Sequence, residues 1–330
     1  MPRIFLTHVP DMLQNYYGER ALAGLRKLAE VRTNQTGVVL DAAALASAAR
    51  GCEVVVSDRQ TAAPAEFFRQ ADDVAAFLRC AVDIRNIDVD AASAAGVLVT
   101  RAGPGFAASV AEMAVGMMVD LSRGVSGAVL AYRAGRAPEV KMGRQLKGST
   151  LGIIGYGAIG RYLAPLGLAL GMRVLVADPY QSVENPAFIK VELARLLAES
   201  DFVVCLALAS EETENLMNGG AFARMKRSAF FINLSRGNLV DETALSRALD
   251  AGQIAGAAMD VGRAPDQMPS SALASRADVI ATPHIAGLTP EAIEHQALET
   301  VRQVAELLAG RVPRGAVNPD SASRLARLSA

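Results

Sequence analysis

Three short runs carry the residue types best suited to chemistry. Gly155-Tyr156-Gly157-Ala158-Ile159-Gly160 follows a strand-like segment (151–154) and opens a helix-like stretch ending at Gly171. The next strand-like segment, 173–177, closes on Asp178, 18 positions past the last glycine of the run. Glycines so placed let the backbone approach a pyrophosphate at a helix N-terminus, and an acid ending the second strand binds ribose hydroxyls. A carboxylate there repels the 2'-phosphate of NADP, so the pattern predicts NAD. Pro165 removes one helical hydrogen bond two turns further on and predicts a bend, not a lost site.

The second run, Phe230 to Asp241, reads as a buried strand leading into Ser235-Arg236-Gly237. That puts a guanidinium at the carboxyl end of a parallel sheet, where such sheets bind ligands. An arginine there grips a carboxylate bidentately and polarises an adjacent carbonyl. The third run, Ala281 to Thr289, places His284 after another strand in a loop bounded by Pro283 and Gly287. An imidazole is the natural acid or base for an alcohol/carbonyl pair. The other two histidines, His8 and His295, read as structural.

Short β-branched runs alternating with alanine-rich amphipathic stretches must position these groups. Segments 4–7, 31–33, 54–57 and 97–100 read as strands, and 19–29, 42–49 and 88–95 as helices between them. Such alternation implies parallel strands with helical crossovers. One long helical stretch, 107–123, follows, and then 124–150 is polar with no clean period. A second α/β series begins beyond it, with strands at 151–154, 174–177, 202–206, 229–233, 256–260 and 279–281. A domain boundary is placed near residue 100. The last strong helix starts at Thr289-Pro290, ends before Gly310 and is expected to return to the N-terminal domain. The tail from Arg311 onward is irregular.

The 330 residues include 33 Lys plus Arg and 34 Asp plus Glu, a net charge of -1 that argues against a broad basic footprint for nucleic acid or anionic lipid. The longest apolar run, 202–209, is far short of a membrane span, and the first residues do not read as a secretory signal. Cys52, Cys80 and Cys205 are odd in number and widely spaced, so buried reduced thiols in a cytoplasmic protein are expected, with no metal site.

In this order the pieces resemble the D-isomer-specific 2-hydroxyacid dehydrogenases. The likeness runs from about residue 54 to 319. It takes in Asn86-Ile87-Asp88, Ser109-Val110-Ala111-Glu112, the glycine fingerprint with Asp178-Pro179-Tyr180, and Asp201-Phe202-Val203. It continues through Met225-Lys226, Asn233 to Asp241, Ala257 to Val261, Thr282-Pro283-His284 and Asn318-Pro319.

The resemblance implies an α/β fold of two doubly wound parallel-sheet domains. A central Rossmann NAD-binding domain (101–289) is inserted in a flavodoxin-like substrate-binding domain (1–100 with 290–330), and the active site lies in the cleft. It implies a homodimer with the 107–123 helix and the following arm at the interface. Arg236 would bind the substrate carboxylate and orient the keto group, and His284 would exchange the proton. Asp260 would contact the carboxamide. Val110, the 155–160 loop, Asp178, Pro179, Ala207, Leu208, Thr213, Leu234, Ser235 and Gly287 would line the cofactor site.

Three departures from the family pattern stand out. The family pairs its histidine with a glutamate five positions after the residue matching Asp260, and here that position is Pro265, with Asp266 beside it. The turn that receives the substrate carboxylate, around Val82 and Asp83, has an aspartate where glycine is usual, a charge that repels a small anionic acid unless it turns away or pairs with Arg85. In Gly103-Pro104-Gly105-Phe106 the proline-glycine turn is shifted and Phe106 replaces an asparagine.

The function expected is NAD-dependent hydride transfer between nicotinamide and a 2-hydroxy/2-keto acid or close relative. Alternatives are an NAD(H)-binding regulatory or scaffold protein of the same superfamily, and a neutral, cationic or bulkier substrate accommodated by Asp83.

Overall fold

A computed structural model describes residues 2–328 of the chain. Met1, Ser329 and Ala330, which the expected outer domain includes, lie outside the described residues. The chain divides into two compact units, residues 1–105 with 290–330, and residues 106–289.

The first unit carries five parallel strands: β1 (Arg3–Leu6), β2 (Glu30–Thr33), β3 (Val54–Ser57), β4 (Ala76–Arg79) and β5 (Leu98–Arg101), in the order β2-β1-β3-β4-β5. That is the flavodoxin-like order. Both faces are buried, so side chains of both parities are apolar. Ile4, Leu6, Val56 and Leu78 pack under the helices Glu19–Leu28 and Pro290–Leu308. Phe5, Val55 and Phe77 pack under Ala42–Ala48 and Ala65–Gln70. Gly24 brings the two helices of the first face close, since a Cβ there would lie 3.0 Å from Val301 Cγ1. The helix Pro290–Leu308 thus belongs to this unit.

The second unit carries β6 (Thr150–Ile154), β7 (Arg173–Ala177), β8 (Phe188–Lys190), β9 (Phe202–Cys205), β10 (Phe230–Asn233), β11 (Gly256–Met259) and β12 (Val279–Ala281). All are parallel, in the order β12-β11-β10-β9-β6-β7-β8, the Rossmann order with one strand added. One face packs on Ala107–Arg123 and Ala158–Ala169, and the other on the helices between later strands. The order reverses direction between β6 and β9, so the crevice at their carboxyl ends is the expected ligand position. The helix Ala158–Ala169 continues through Pro165.

Two strands, β4 and β8, are absent from the sequence reading. Segment 124–150 is not wholly irregular: Val125–Arg133 is a helix, set at 68° to Ala107–Arg123 across Gly124, whose φ is +66°. Among the described residues no single helix is long and apolar enough to cross a membrane. The tail contains two 3-10 turns, Pro319–Ser321 and Ser323–Leu328. Cys52, Cys80 and Cys205 are buried free thiols, and burial pushes the last two up to about 12.

Candidate active site

The glycine run leaves β6 and enters the helix Ala158–Ala169, and each glycine has a separate reason to be there. Gly155 has φ +94°, and a Cβ on it would sit 2.6 Å from the Ala207 amide nitrogen. A Cβ on Gly160 would sit 2.4 Å from the Gly155 carbonyl oxygen, so this residue lets the helix approach the strand. At Gly157 a Cβ would meet nothing within 4 Å. Its hydrogen faces open space beside the helix start, where the first amides have no partner within the helix. Room next to unpaired N–H groups fits a pyrophosphate.

Asp178 directly follows β7 and holds this loop in place. Oδ2 accepts from the Tyr156 amide at 2.7 Å, and Oδ1 accepts from the amides of Tyr180 at 2.8 Å and Gln181 at 3.0 Å. A carboxylate has about four acceptor directions, so one remains for a ribose hydroxyl. Pro179 and Tyr180 are exposed, and the Tyr180 hydroxyl donates to Glu212, which raises the phenol above its ordinary range. The residues present fit a dinucleotide without a 2'-phosphate.

The loops after β9, β10, β11 and β12 are tied to one another in sheet order. Ser235 Oγ donates to the Ala207 carbonyl at 2.6 Å. Asn233, ending β10, donates through Nδ2 to the Arg236 carbonyl at 3.0 Å and accepts from the Ser235 amide at 3.1 Å. Arg236 is half-buried, and its Nη1 donates to the Ser235 carbonyl at 2.7 Å. Gly237 abuts the next loop, because a Cβ there would overlap the Gly262 carbonyl at 2.0 Å.

Asp260, 1% exposed, organises the histidine loop. Oδ1 accepts from Thr282 Oγ1 at 2.6 Å and the Ile285 amide at 2.9 Å, and Oδ2 accepts from the Ala286 amide at 2.9 Å. His284 is half-buried with φ +56°, and its Nδ1 lies 3.0 Å from the Asp266 carbonyl oxygen. The group beside the ring is therefore the main-chain carbonyl of Asp266, the residue next to the position of the family's glutamate.

The remaining expected site residues fall into two groups. Leu234 and Val110 are buried, and a Cβ on Gly287 would lie 3.7 Å from Val110 Cγ2. Leu208 is 84% exposed beside the β9 loop, where Thr213 Oγ1 donates to the Leu208 carbonyl at 2.8 Å. Ala158 and Ile159 form the first turn after Gly157. Val82 and Asp83 belong to the other unit, in the loop after β4. Asp83 is paired with Arg85 there, Nη2 to Oδ2 at 2.6 Å. Sequence reasoning gave Asn233 and Thr282 no role beyond their place in the resemblance and missed Arg263; Asn233 braces its own loop, while Thr282 and Arg263 bond from one loop to another.

The family model for the D-isomer specific 2-hydroxyacid dehydrogenase NAD binding domain matches residues 115–286. An (S)-sulfolactate dehydrogenase from Chromohalobacter salexigens is 34% identical over 305 residues, 91% of this chain and 98% of that protein. A D-3-phosphoglycerate dehydrogenase from Archaeoglobus fulgidus is 35% identical over 270 residues, 81% of this chain and 51% of that protein. The chain thus spans about half the length of the phosphoglycerate dehydrogenase it matches. The structure of D-lactate dehydrogenase from Escherichia coli superposes with a TM-score of 0.78 at 26% identity, covering 96% of this chain and 100% of that one.

Proposed function

Because the chain belongs to the D-isomer-specific 2-hydroxyacid dehydrogenase family and carries its NAD-binding domain, we propose that it oxidises a 2-hydroxy acid, or reduces the 2-keto acid, with NAD. The observation that carries this reading is the order of groups along one sheet edge. The glycine loop, Asp178, Arg236, Asp260 and His284 all follow the carboxyl ends of strands in a single parallel sheet.

Bound NAD supplies the carbon that accepts or returns a hydride. The 155–160 loop and the first turn of Ala158–Ala169 would hold its pyrophosphate, and Asp178 a ribose. Ala207, Leu208, Thr213, Leu234, Ser235, Val110, Pro179 and Gly287 would line the remainder, with Asp260 offering its free acceptor direction to the carboxamide. Arg236 would grip the substrate carboxylate with two parallel N–H donors and orient the carbon to be oxidised. In the oxidative direction His284 Nε2 would take the hydroxyl proton as the C–H hydrogen leaves with its electron pair; in the reductive direction it would give that proton to the carbonyl oxygen. Val82 and Asp83 are proposed as further substrate contacts, with the Arg85 pair offsetting the Asp83 charge. Pro265 takes the place of the family's glutamate.

The reading includes a cytoplasmic homodimer. Val125, Val129, Leu130, Tyr132, Val140 and Met142 are exposed apolar residues on one helix and the arm after it, with Met142 at 100%. A second copy covering them is the simplest occupant, and sedimentation at micromolar concentration would report a dimer. The activity is tested by NADH consumption with a panel of 2-keto acids, bulky and anionic ones included. Turnover that disappears in His284→Ala and Arg236→Ala is expected. Tight NADH binding with no turnover on any acid overturns the proposal in favour of an NAD(H)-binding regulatory protein.

A further inference from the structure

Four non-glycine residues among those described have left-handed backbones: Asn215 (φ 52°), Asp266 (φ 56°), Gln267 (φ 57°) and His284 (φ 56°). Ordinary side chains hold that conformation where the surroundings over-determine it, and such positions cluster at functional sites. These four form one chain of contacts. Asn215 Oδ1 accepts from Arg263 Nη2 at 2.7 Å. The two hydrogens of that nitrogen are shared with Glu214 Oε1 at 2.7 Å and the Asn238 carbonyl at 3.0 Å, while Nε donates to the Val240 carbonyl at 3.1 Å. The Arg263 amide donates to Glu242 Oε1 at 2.9 Å.

Arg263 thereby fixes the base of the 262–268 turn. The turn is closed by Gly262 N–H to the Gln267 carbonyl at 2.7 Å and Ala264 N–H to the Met268 carbonyl at 3.0 Å. At its tip the two consecutive left-handed residues follow Pro265, and the Asp266 carbonyl oxygen meets His284 Nδ1 at 3.0 Å. A carbonyl has no proton to donate, so Nδ1 is the donor in this contact. The neutral ring then carries its hydrogen on Nδ1 and its lone pair on Nε2.

We propose that the 262–268 turn is a positioning device for His284. The backbone carbonyl of Asp266, and not its carboxylate, sets the tautomer and direction of the imidazole, and Arg263 is the positioning residue that holds the turn. The inference rests on the reading of His284 as the proton-exchanging group. It deepens that reading by assigning the job of the absent glutamate to a neutral main-chain acceptor, which orients the ring without bringing a charge to it.

The test is long-range proton–nitrogen correlation spectroscopy of the full chain labelled with nitrogen-15 histidine, with His284 assigned by the signals lost in His284→Gln. The neutral ring is expected to show a protonated-type Nδ1 and an unprotonated-type Nε2, and Asp266→Asn is expected to keep that signature. The opposite tautomer, an averaged pair of signals, or a changed signature in Asp266→Asn overturns the proposal. In Arg263→Ala the two nitrogens are expected to average, with kcat falling on the order of tenfold to a hundredfold, as for a misplaced catalytic group. A folded Arg263→Ala with the wild-type signature removes Arg263 from the device. Should that variant not fold, the wild-type and Asp266→Asn spectra still decide the role of the carbonyl. Failure of the underlying reading is seen separately, as unimpaired turnover in His284→Ala.

Discussion

The main-chain carbonyl of Asp260 accepts the His284 amide at 2.9 Å, while the Asp260 carboxylate accepts the two amides on the far side of that histidine. One buried residue at the end of β11 thus brackets the imidazole loop after β12. The proposed acid/base group depends on a residue that holds its main chain and that of the next two residues, and on a strand it is not part of.

Asp260→Ala is therefore expected to damage the loop before it damages the cofactor site. The buried Ala286 amide loses its acceptor, at about 1–3 kcal/mol, and the part-buried Ile285 amide and the Thr282 hydroxyl lose theirs as well. Urea unfolding of the variant should show a loss of about 3 kcal/mol, and kcat should fall by more than NADH affinity does. A variant as stable as the parent would contradict this account of the loop.

The three fingerprint glycines should separate in a substitution series. Gly155→Ala forces a Cβ against Ala207 at a φ of +94°, and Gly160→Ala forces one against the Gly155 carbonyl, so both should lose stability. The left-handed conformation alone costs about 1–3 kcal/mol at Gly155. Gly157→Ala has open space for its Cβ and should melt within about 0.5 kcal/mol of the parent. NADH titration should still show a loss of about tenfold or more there, ~1.4 kcal/mol, because the methyl group takes room needed by phosphate.

Arg236→Lys keeps the charge but not the planar pair of donors. The KM for a 2-keto acid should rise about 10–100-fold, the value of a charge-assisted hydrogen bond, with NADH affinity unchanged. Steady-state kinetics with both substrates varied would separate the two effects.

The buried His8 gives the first unit a pH-dependent stability unrelated to catalysis. Burial lowers its pKa from 6.5 to about 4, with the Asp58 charge opposing the shift and Arg79 adding to it. Between those values the unfolded chain binds a proton that the folded chain refuses. Unfolding therefore takes up a proton in this window, and stability falls as pH drops from 6.5 towards 4, by about 3 kcal/mol in all. Denaturant titrations at the two ends of the window should show this loss in the parent and a flatter profile in His8→Gln.

The sheet architecture and the cofactor loop were readable in the sequence because their signals are local. A β-branched run followed by spaced glycines and an acid has few other uses. The β4 strand was not readable: Ala76-Phe77-Leu78-Arg79 is buried on both faces, so it shows no alternation, and it ends in a buried arginine instead of a turn residue. The helix Val125–Arg133 was hidden because its apolar side chains face outward. The partner of His284 had no side-chain signature at all, since every residue has a carbonyl. Only backbone conformation at Asp266 and Gln267 marks that one out.

The most direct test of the account is single-turnover reduction of a 2-keto acid by NADH in the parent and in His284→Ala. The expected result is a loss of about 10²–10⁴-fold in the rate of the chemical step, with NADH binding intact. His284→Ala that reduces the keto acid as fast as the parent would contradict the assignment of proton exchange to this imidazole.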